Sequence, residues 1–196
     1  ASCFAEKDGA FVNSSRWLQW KEAALDPPGD ARRDQEIIAR LFLELRGLYE
    51  KEGGTAPEPL LAMKWDYATP TSPSLSEVAK EVNGRDLMAA KQVNGFGELK
   101  DDGSTACGNW LYSGSWTEGG NMMARRGQDD PTGLGLYPQW SWSWPSNRRI
   151  LYNRASVDNT GKPWDATRAP VKWDGKRWSG DVPDYKADAP PEALGS

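Results

Sequence analysis

The chain has 196 residues, 24 basic and 28 acidic, for a formal charge of -4; only 38% of it is hydrophobic and its mean hydropathy is -0.74. This acidic balance opposes the counterion release that nucleic-acid binding depends on, and no apolar run reaches the roughly 18 residues that span a membrane. Histidine is absent, which excludes Ser-His-Asp and Cys-His nucleophile systems and every histidine-ligated metal site.

The length suits one domain of ordinary size. Aliphatic burial is thin, and eleven Trp supply much of the apolar area a core would need. With 20 Gly and 14 Pro, most backbone outside a few segments should be loop. The first residues, ASCFAEKDGAFVNSSRWLQW, do not read as a secretory leader, and Lys7-Asp8-Gly9 reads as a turn. Asp26-Pro27-Pro28-Gly29-Asp30 then breaks the chain. From Asp34, in the role of N-cap, Ile37, Ile38, Leu41, Phe42, Leu45, Leu48 and Tyr49 recur at three-and-four spacing, predicting an amphipathic helix over 34–52 that stops at Gly53-Gly54.

Ser74 and Glu77 have capping-box spacing ahead of Leu75, Val78 and Val82, so a shorter helix should run to about residue 83, with Gly84 as its stop. Residues 85–163 show no sustained period. Trp140, Trp142 and Trp144 alternate with serines as in a strand, which would put three indoles on one side, either as a wall of core or as an exposed stacking platform. Asp174-Gly175 between VKW and KRW predicts a two-residue hairpin with Trp173 and Trp178 on one face. The fold expected is mixed α/β with much irregular loop: one long helix, one short helix and a terminal β-hairpin. Three regions follow, at 1–84, 85–183 and a Pro/Ala-rich linker at 184–196.

The search for chemistry is mostly negative. No GxGxxG, GxxxxGK[ST], HExxH or GxSxG is present. Cys3 and Cys107 are too few and too far apart for a cluster or zinc framework and read as small buried hydrophobes. Asp101-Asp102 and Asp129-Asp130 sit beside Gly or Pro and read as solvated turns. Arg125-Arg126, Arg148-Arg149 and Arg154 make 113–154 net positive and are interleaved with Trp116, Tyr137, Trp140, Trp142 and Trp144. Such guanidinium groups suit either an anionic cofactor or acidic partner, or ordinary ion pairs and stacking on core Trp.

The strings GSWTEGGNMMARR at 114–126, GLGLYPQWSWSWPSNRRILYNRAS at 133–156, GKPWD at 161–165 and VKWDGKRWSG at 171–180 resemble the catalytic subunit of respiratory formate dehydrogenases, in the molybdopterin oxidoreductase superfamily. Ala1 to Glu6 resembles the second half of that family's molybdopterin signature, and the resemblance covers nearly the whole chain. It implies an internal piece of a larger subunit that oxidises formate to carbon dioxide. The whole would carry molybdenum or tungsten held by bis-pterin-guanine-dinucleotide, one [4Fe-4S] cluster and an iron-sulfur partner subunit, in the periplasm. The metal-ligating selenocysteine or cysteine, its histidine, the cluster cysteines and the substrate arginine would all lie outside this segment, and a dinucleotide-binding domain would follow Ser196. No catalytic or metal-ligating residue is therefore expected here. Glu6, Asn13 and Arg16, in the continuation of the pterin signature, are expected to brace the cofactor without ligating its metal. The arginine pairs are expected against the tryptophan wall or the partner subunit. A Trp-rich carbohydrate-binding or protein-docking module is the alternative.

Overall fold

A computed structural model describes residues 1–131, 133, 135–143, 157, 158, 160–180, 190 and 191. The chain opens with a 3-10 turn, Phe4–Glu6, and then an antiparallel hairpin of β1 (Gly9–Val12) and β2 (Trp17–Lys21), in register Gly9↔Lys21 to Val12↔Leu18. Periodicity does not announce this hairpin, because its strands have only four and five residues. Its turn is legible in chemistry instead. The Asn13 side-chain oxygen accepts from the Ser15 N–H (3.1 Å), the Ser15 hydroxyl (2.6 Å) and the Trp17 N–H (3.3 Å), as an Asx turn does. At the other end the Lys21 ammonium donates to the carbonyls of Phe4 and Lys7, and Lys7 pairs with Asp34.

Helix α1 spans Asp34–Glu52, the range the period predicts. Its cap differs from the expectation: Arg33 holds the cap position without a side-chain hydrogen bond, and Asp34 is the first helical residue, its carboxylate taken by Lys7. Gly53, at φ 72°, ends the helix with its N–H on Tyr49 O. A one-turn helix, α2 (Glu58–Leu61), then folds back. It adds to the two helices expected, since four residues are too few to show a period. The Arg46 guanidinium donates to the carbonyls of Leu61 and Met63, both at 3.1 Å, and Phe42 packs on Trp65 with centroids 4.5 Å apart. These contacts cover one side of α1 only. Ala39 is fully buried, whereas Ile38 is 63% exposed and Leu41 60%.

Helix α3 (Leu75–Asn83) is capped by the Ser74 hydroxyl, which accepts from the Ser76 N–H at 3.2 Å. Glu77 does not close the predicted box; its carboxylate turns to the Ala68 N–H at 3.3 Å. Leu75, Val78 and Val82 do share a face, and with Phe11, Leu18 and Met123 they line a cavity of about 280 Å³ between α3 and the first hairpin.

Gly84 ends α3 at φ 97°, where a Cβ would lie 2.6 Å from the Cys107 Cβ and 2.9 Å from Ala106 O. That approach lets β3 (Arg85–Asp86) sit between β4 (Lys91–Gln92) and β5 (Thr105–Ala106) in a small antiparallel sheet. The pair β6 (Trp116–Thr117) and β7 (Gly120–Asn121) follows. The fully buried side chain of Asn83 ties these pieces together. Its amide nitrogen donates to Gly84 O (3.0 Å), Val93 O (3.0 Å) and Gln92 Oε1 (3.2 Å), and its oxygen accepts from the N–H groups of Gly114 (2.6 Å) and Trp116 (3.1 Å).

Strand β8 (Ser141–Trp142) adds to β2, giving the order β1-β2-β8. Near the end, β9 (Val171–Trp173) pairs with β10 (Trp178–Gly180). The hairpin is where expected but its loop is 174–177, not two residues. The Asp174 carboxylate accepts from the N–H groups of Lys176 (2.9 Å) and Arg177 (2.8 Å), which holds the longer loop closed and sets Trp173 opposite Trp178. The two rings pack at 5.4 Å, over a small core of Val157, Val171 and Trp178. The architecture is thus mixed helix and sheet with small antiparallel sheets and much irregular chain, and no long helix crosses the described part of 113–154. Cys107 is half-buried, but Cys3 is exposed, against the expectation for a small hydrophobe, because the turn it precedes lies on the surface. The expected linker at 184–196 lies outside the described residues apart from Pro190 and Pro191.

Candidate functional site

The sheet β1-β2-β8 brings the Asn13–Arg16 turn against the aromatic run that ends in β8. Trp17 faces Trp142 across the β2-β8 pairing, and the Ser143 N–H donates to Arg16 O at 3.0 Å. Trp140 lies nearly parallel to Trp17 (centroids 4.1 Å, 15°) and to Tyr137 (4.3 Å, 10°). Two parallel rings that close to a third must occupy its opposite faces, so Trp140 is sandwiched. Its indole N–H donates to Gly127 O at 2.6 Å, and Trp142 is 4% exposed. Core wall is therefore the correct reading of Trp140 and Trp142, and the stacking-platform reading fails for both. Trp144 lies outside the described residues.

Arg126 completes this base. Its guanidinium donates to the carbonyls of Met123 (2.7 Å), Arg125 (2.7 Å) and Trp20 (2.9 Å) and sits over the Trp17 ring at 5.8 Å. Arg126 thus packs on the tryptophan wall, as one of the two expectations for the pair had it, with its planar fork spent on backbone oxygens. Arg125 is exposed. Arg148, Arg149 and Arg154 lie outside the described residues. Asp130 acts locally, accepting from the N–H groups of Gly135 and Leu136, and Asp102 from the N–H and hydroxyl of Ser104.

The three residues of the pterin-signature continuation do not converge. Glu6 stands at one end of the first hairpin, where its carboxylate accepts the Cys3 N–H at 2.9 Å and closes the 3-10 turn. Asn13 and Arg16 stand at the other end, on the exposed turn. There the Asn13 oxygen is occupied within the turn, while the Asn13 amide nitrogen and the Arg16 guanidinium make no hydrogen bond or ion pair among the described residues. Arg16 has φ 67° and Tyr137 φ 45°, both in the left-handed region that non-glycine residues occupy only when surroundings force them to. The turn therefore presents one planar cation and one amide donor on a stiff aromatic base. The turn holds no base to activate the Ser14 and Ser15 hydroxyls, so its chemistry is hydrogen-bond donation to an anionic or carbonyl-rich group.

Among the described residues no group of three or more His, Cys, Asp or Glu is placed to hold a metal ion, and no helix is long and apolar enough to cross a membrane.

No family model matches the chain. Individual proteins do. It is 48% identical over 209 residues to the formate dehydrogenase-O major subunit of Escherichia coli K12, across 100% of this chain and 21% of that protein. It is 49% identical over 208 residues to the nitrate-inducible formate dehydrogenase major subunit of the same organism, across 100% and 20%. The chain belongs to the formate dehydrogenase major-subunit family. Its similarity extends to formate dehydrogenase 2 subunit alpha (cytochrome c-553) of Nitratidesulfovibrio vulgaris Hildenborough, at 46% over 194 residues, 91% of this chain and 19% of that protein. The chain spans about a fifth of the length of these formate dehydrogenase subunits.

Asn83 is the residue that sequence reasoning missed. It reads as the last residue of a helix before a glycine, and nothing in its neighbourhood announces that two distant backbone N–H groups converge on it.

Proposed function

We propose that this chain is a structural segment of a formate dehydrogenase catalytic subunit that oxidises formate to carbon dioxide and passes two electrons to an iron-sulfur partner subunit. The observation that carries this reading is identity of 48–49% sustained from end to end against two such subunits. The family's group is a molybdenum or tungsten bis-pterin centre with one [4Fe-4S] cluster, and a periplasmic location follows the same reading. Two cysteines and no histidine are not the donor set for that cluster, which takes four thiolates. Its ligands and the reacting metal accordingly belong to other parts of the subunit, and no catalytic step runs through this segment.

What the segment offers a pterin dinucleotide is narrower. Among the described residues Arg16 and the Asn13 amide nitrogen are unengaged donors on that turn, and they suit the phosphate and carbonyl edges of such a cofactor. Glu6 is committed to its own turn, so its contribution is to the local fold. Metal and pterin content of the purified full-length subunit tests the reading: stoichiometric molybdenum or tungsten with guanine dinucleotide is expected, and a subunit that folds with neither would refute it. Arg16→Ala should lower pterin content severalfold with secondary structure unchanged, while Glu6→Gln should leave pterin content near normal. Equal losses in both would remove the distinction drawn between them.

A further inference from the structure

Helix α1 has more apolar surface than the described residues cover. At 3.6 residues per turn, Ala39, Phe42, Leu43, Arg46 and Tyr49 fall in one sector of roughly 120°, the sector packed on α2 and Trp65. Ile37, Ile38, Leu41, Leu45 and Leu48 fall in a second, adjoining sector of roughly 100°. These five are 39%, 63%, 60%, 41% and 49% exposed. Glu36, Arg40, Glu44 and Lys51 are left with the remaining strip of roughly 80°, where Glu36 takes Arg40 at 3.1 Å and Arg32 at 2.7 Å. Charge is not confined to that strip, since Arg46 pairs with Glu50 in the first sector and Asp34 and Glu52 close the two ends of the second, but from Ile37 to Leu48 the second sector is apolar throughout. Between Ile37 and Leu48 the exposed sector is continuous over three turns and carries no charge, so it is a built contact face and not scattered surface leucine.

The occupant follows from size. The relatives that align with this chain from end to end are about five times as long, each a single polypeptide. We infer that the Ile38-Leu41-Leu45-Leu48 stripe is an internal packing face of the full-length subunit, covered by an apolar helix or sheet face of the same polypeptide from outside residues 1–196. This rests on the proposed reading of the chain as one part of such a subunit. The charged strip along Arg40, Glu44 and Lys51 remains in water and marks one rim of the contact.

Hydroxyl-radical footprinting of the full-length subunit, purified without any other subunit, tests the inference on the unaltered protein. Ile38, Leu41, Leu45 and Leu48 should be modified about tenfold more slowly than in the same subunit unfolded in urea. Rates within about twofold of the unfolded ones would overturn it, as would protection that appears only when a second subunit is added or only at concentrations where the subunit dimerises. Photo-crosslinking gives an independent reading. Leu41→p-benzoylphenylalanine should crosslink to a peptide of the same polypeptide from outside residues 1–196, and Glu44→p-benzoylphenylalanine, on the polar strip, should crosslink little; a Leu41 crosslink to a different subunit, or to a peptide within residues 1–196, would overturn the proposal. Neither experiment reads formate oxidation. A long subunit with a protected stripe that fails to oxidise formate would refute the functional reading and leave this one standing, and a formate-oxidising subunit with an exposed stripe would do the reverse.

Discussion

Replacing Asn83 by Ala should open the junction between α3, the β4-β3-β5 sheet and the 113–116 loop. The substitution removes five side-chain hydrogen bonds at a fully buried position. Their loss is not uniform. Gly84 O keeps the N–H of Val93 at 3.0 Å, so it is not orphaned, whereas the N–H groups of Gly114 and Trp116 lose the oxygen they share. A buried group left without a partner costs about 1–3 kcal/mol, so two give about 2–5 kcal/mol after partial relaxation. Asn83→Asp keeps both acceptor contacts but turns a second oxygen on the carbonyls of Gly84 and Val93, and it buries a charge; it should be at least as damaging at pH 7 and less so near pH 5, where the carboxyl can hold a proton. Hydrogen exchange of the full-length subunit, read on peptides covering 83–93 and 113–117, measures the effect. At about 1.4 kcal/mol per tenfold, exchange there should quicken by at least about thirtyfold in the Ala variant. Protection unchanged within about 0.5 kcal/mol would show that Asn83 is replaceable and that the junction is held by apolar contacts alone.

Gly84→Ala should cost about 1–3 kcal/mol from its positive φ, with a further loss from the 2.6 Å approach to Cys107; a urea midpoint equal to that of the parent would refute the geometry assigned to this junction. Asp86, Asp102 and Asp158 are held below the ordinary aspartate value of 3.8, by the Ala89 and Met88 N–H groups, by Ser104, and by Thr160 with the Lys162 N–H, respectively. Groups with lowered values in the folded state stabilise it above their unfolded pKa and lose that contribution as pH falls through the folded one. The thermal midpoint of the subunit should therefore be insensitive to these turns above about pH 5 and decline below about pH 4; a decline already present between pH 7 and 5 would point to other groups. Residues 1–196 expressed alone should melt broadly by calorimetry, because among the described residues more large hydrophobics are exposed than buried; a sharp cooperative transition would show a self-sufficient domain.

Elements with a long period were legible from residues alone. The three-and-four spacing from Ile37 to Tyr49 and the Ser74 cap with Gly84 located α1 and α3, and Asp174-Gly175 located the last hairpin. What the spacing could not reveal was which apolar face a neighbour would cover, since that depends on α2, Trp65 and whatever lies beyond this chain. The short strands β3 to β8 escaped for a related reason. Two residues carry no period, and their pairing is set by Asn83 and by the stacked Trp17-Trp140-Tyr137 group, whose contacts Asn83–Gly114, Asn83–Trp116 and Trp17–Trp140 each cross more than 25 positions of sequence. At the candidate site, the polar cluster Asn13-Ser14-Ser15-Arg16 between two apolar runs is a turn signal that goes unused when Asn13 and Arg16 are read only as the continuation of the pterin signature. The division of labour between Glu6, which closes its own turn, and Arg16, which stays free among the described residues, needed the hydrogen bonds.

The central claim is that these residues are one part of a formate-oxidising subunit. It is tested most directly by immunopurifying the polypeptide through an epitope placed at the exposed Gly53-Gly54 stop of α1 and assaying formate-dependent reduction of a viologen dye. The account predicts a polypeptide about five times the mass of this chain that reduces the dye only when formate is supplied. A long polypeptide replete with metal and pterin but indifferent to formate would contradict it.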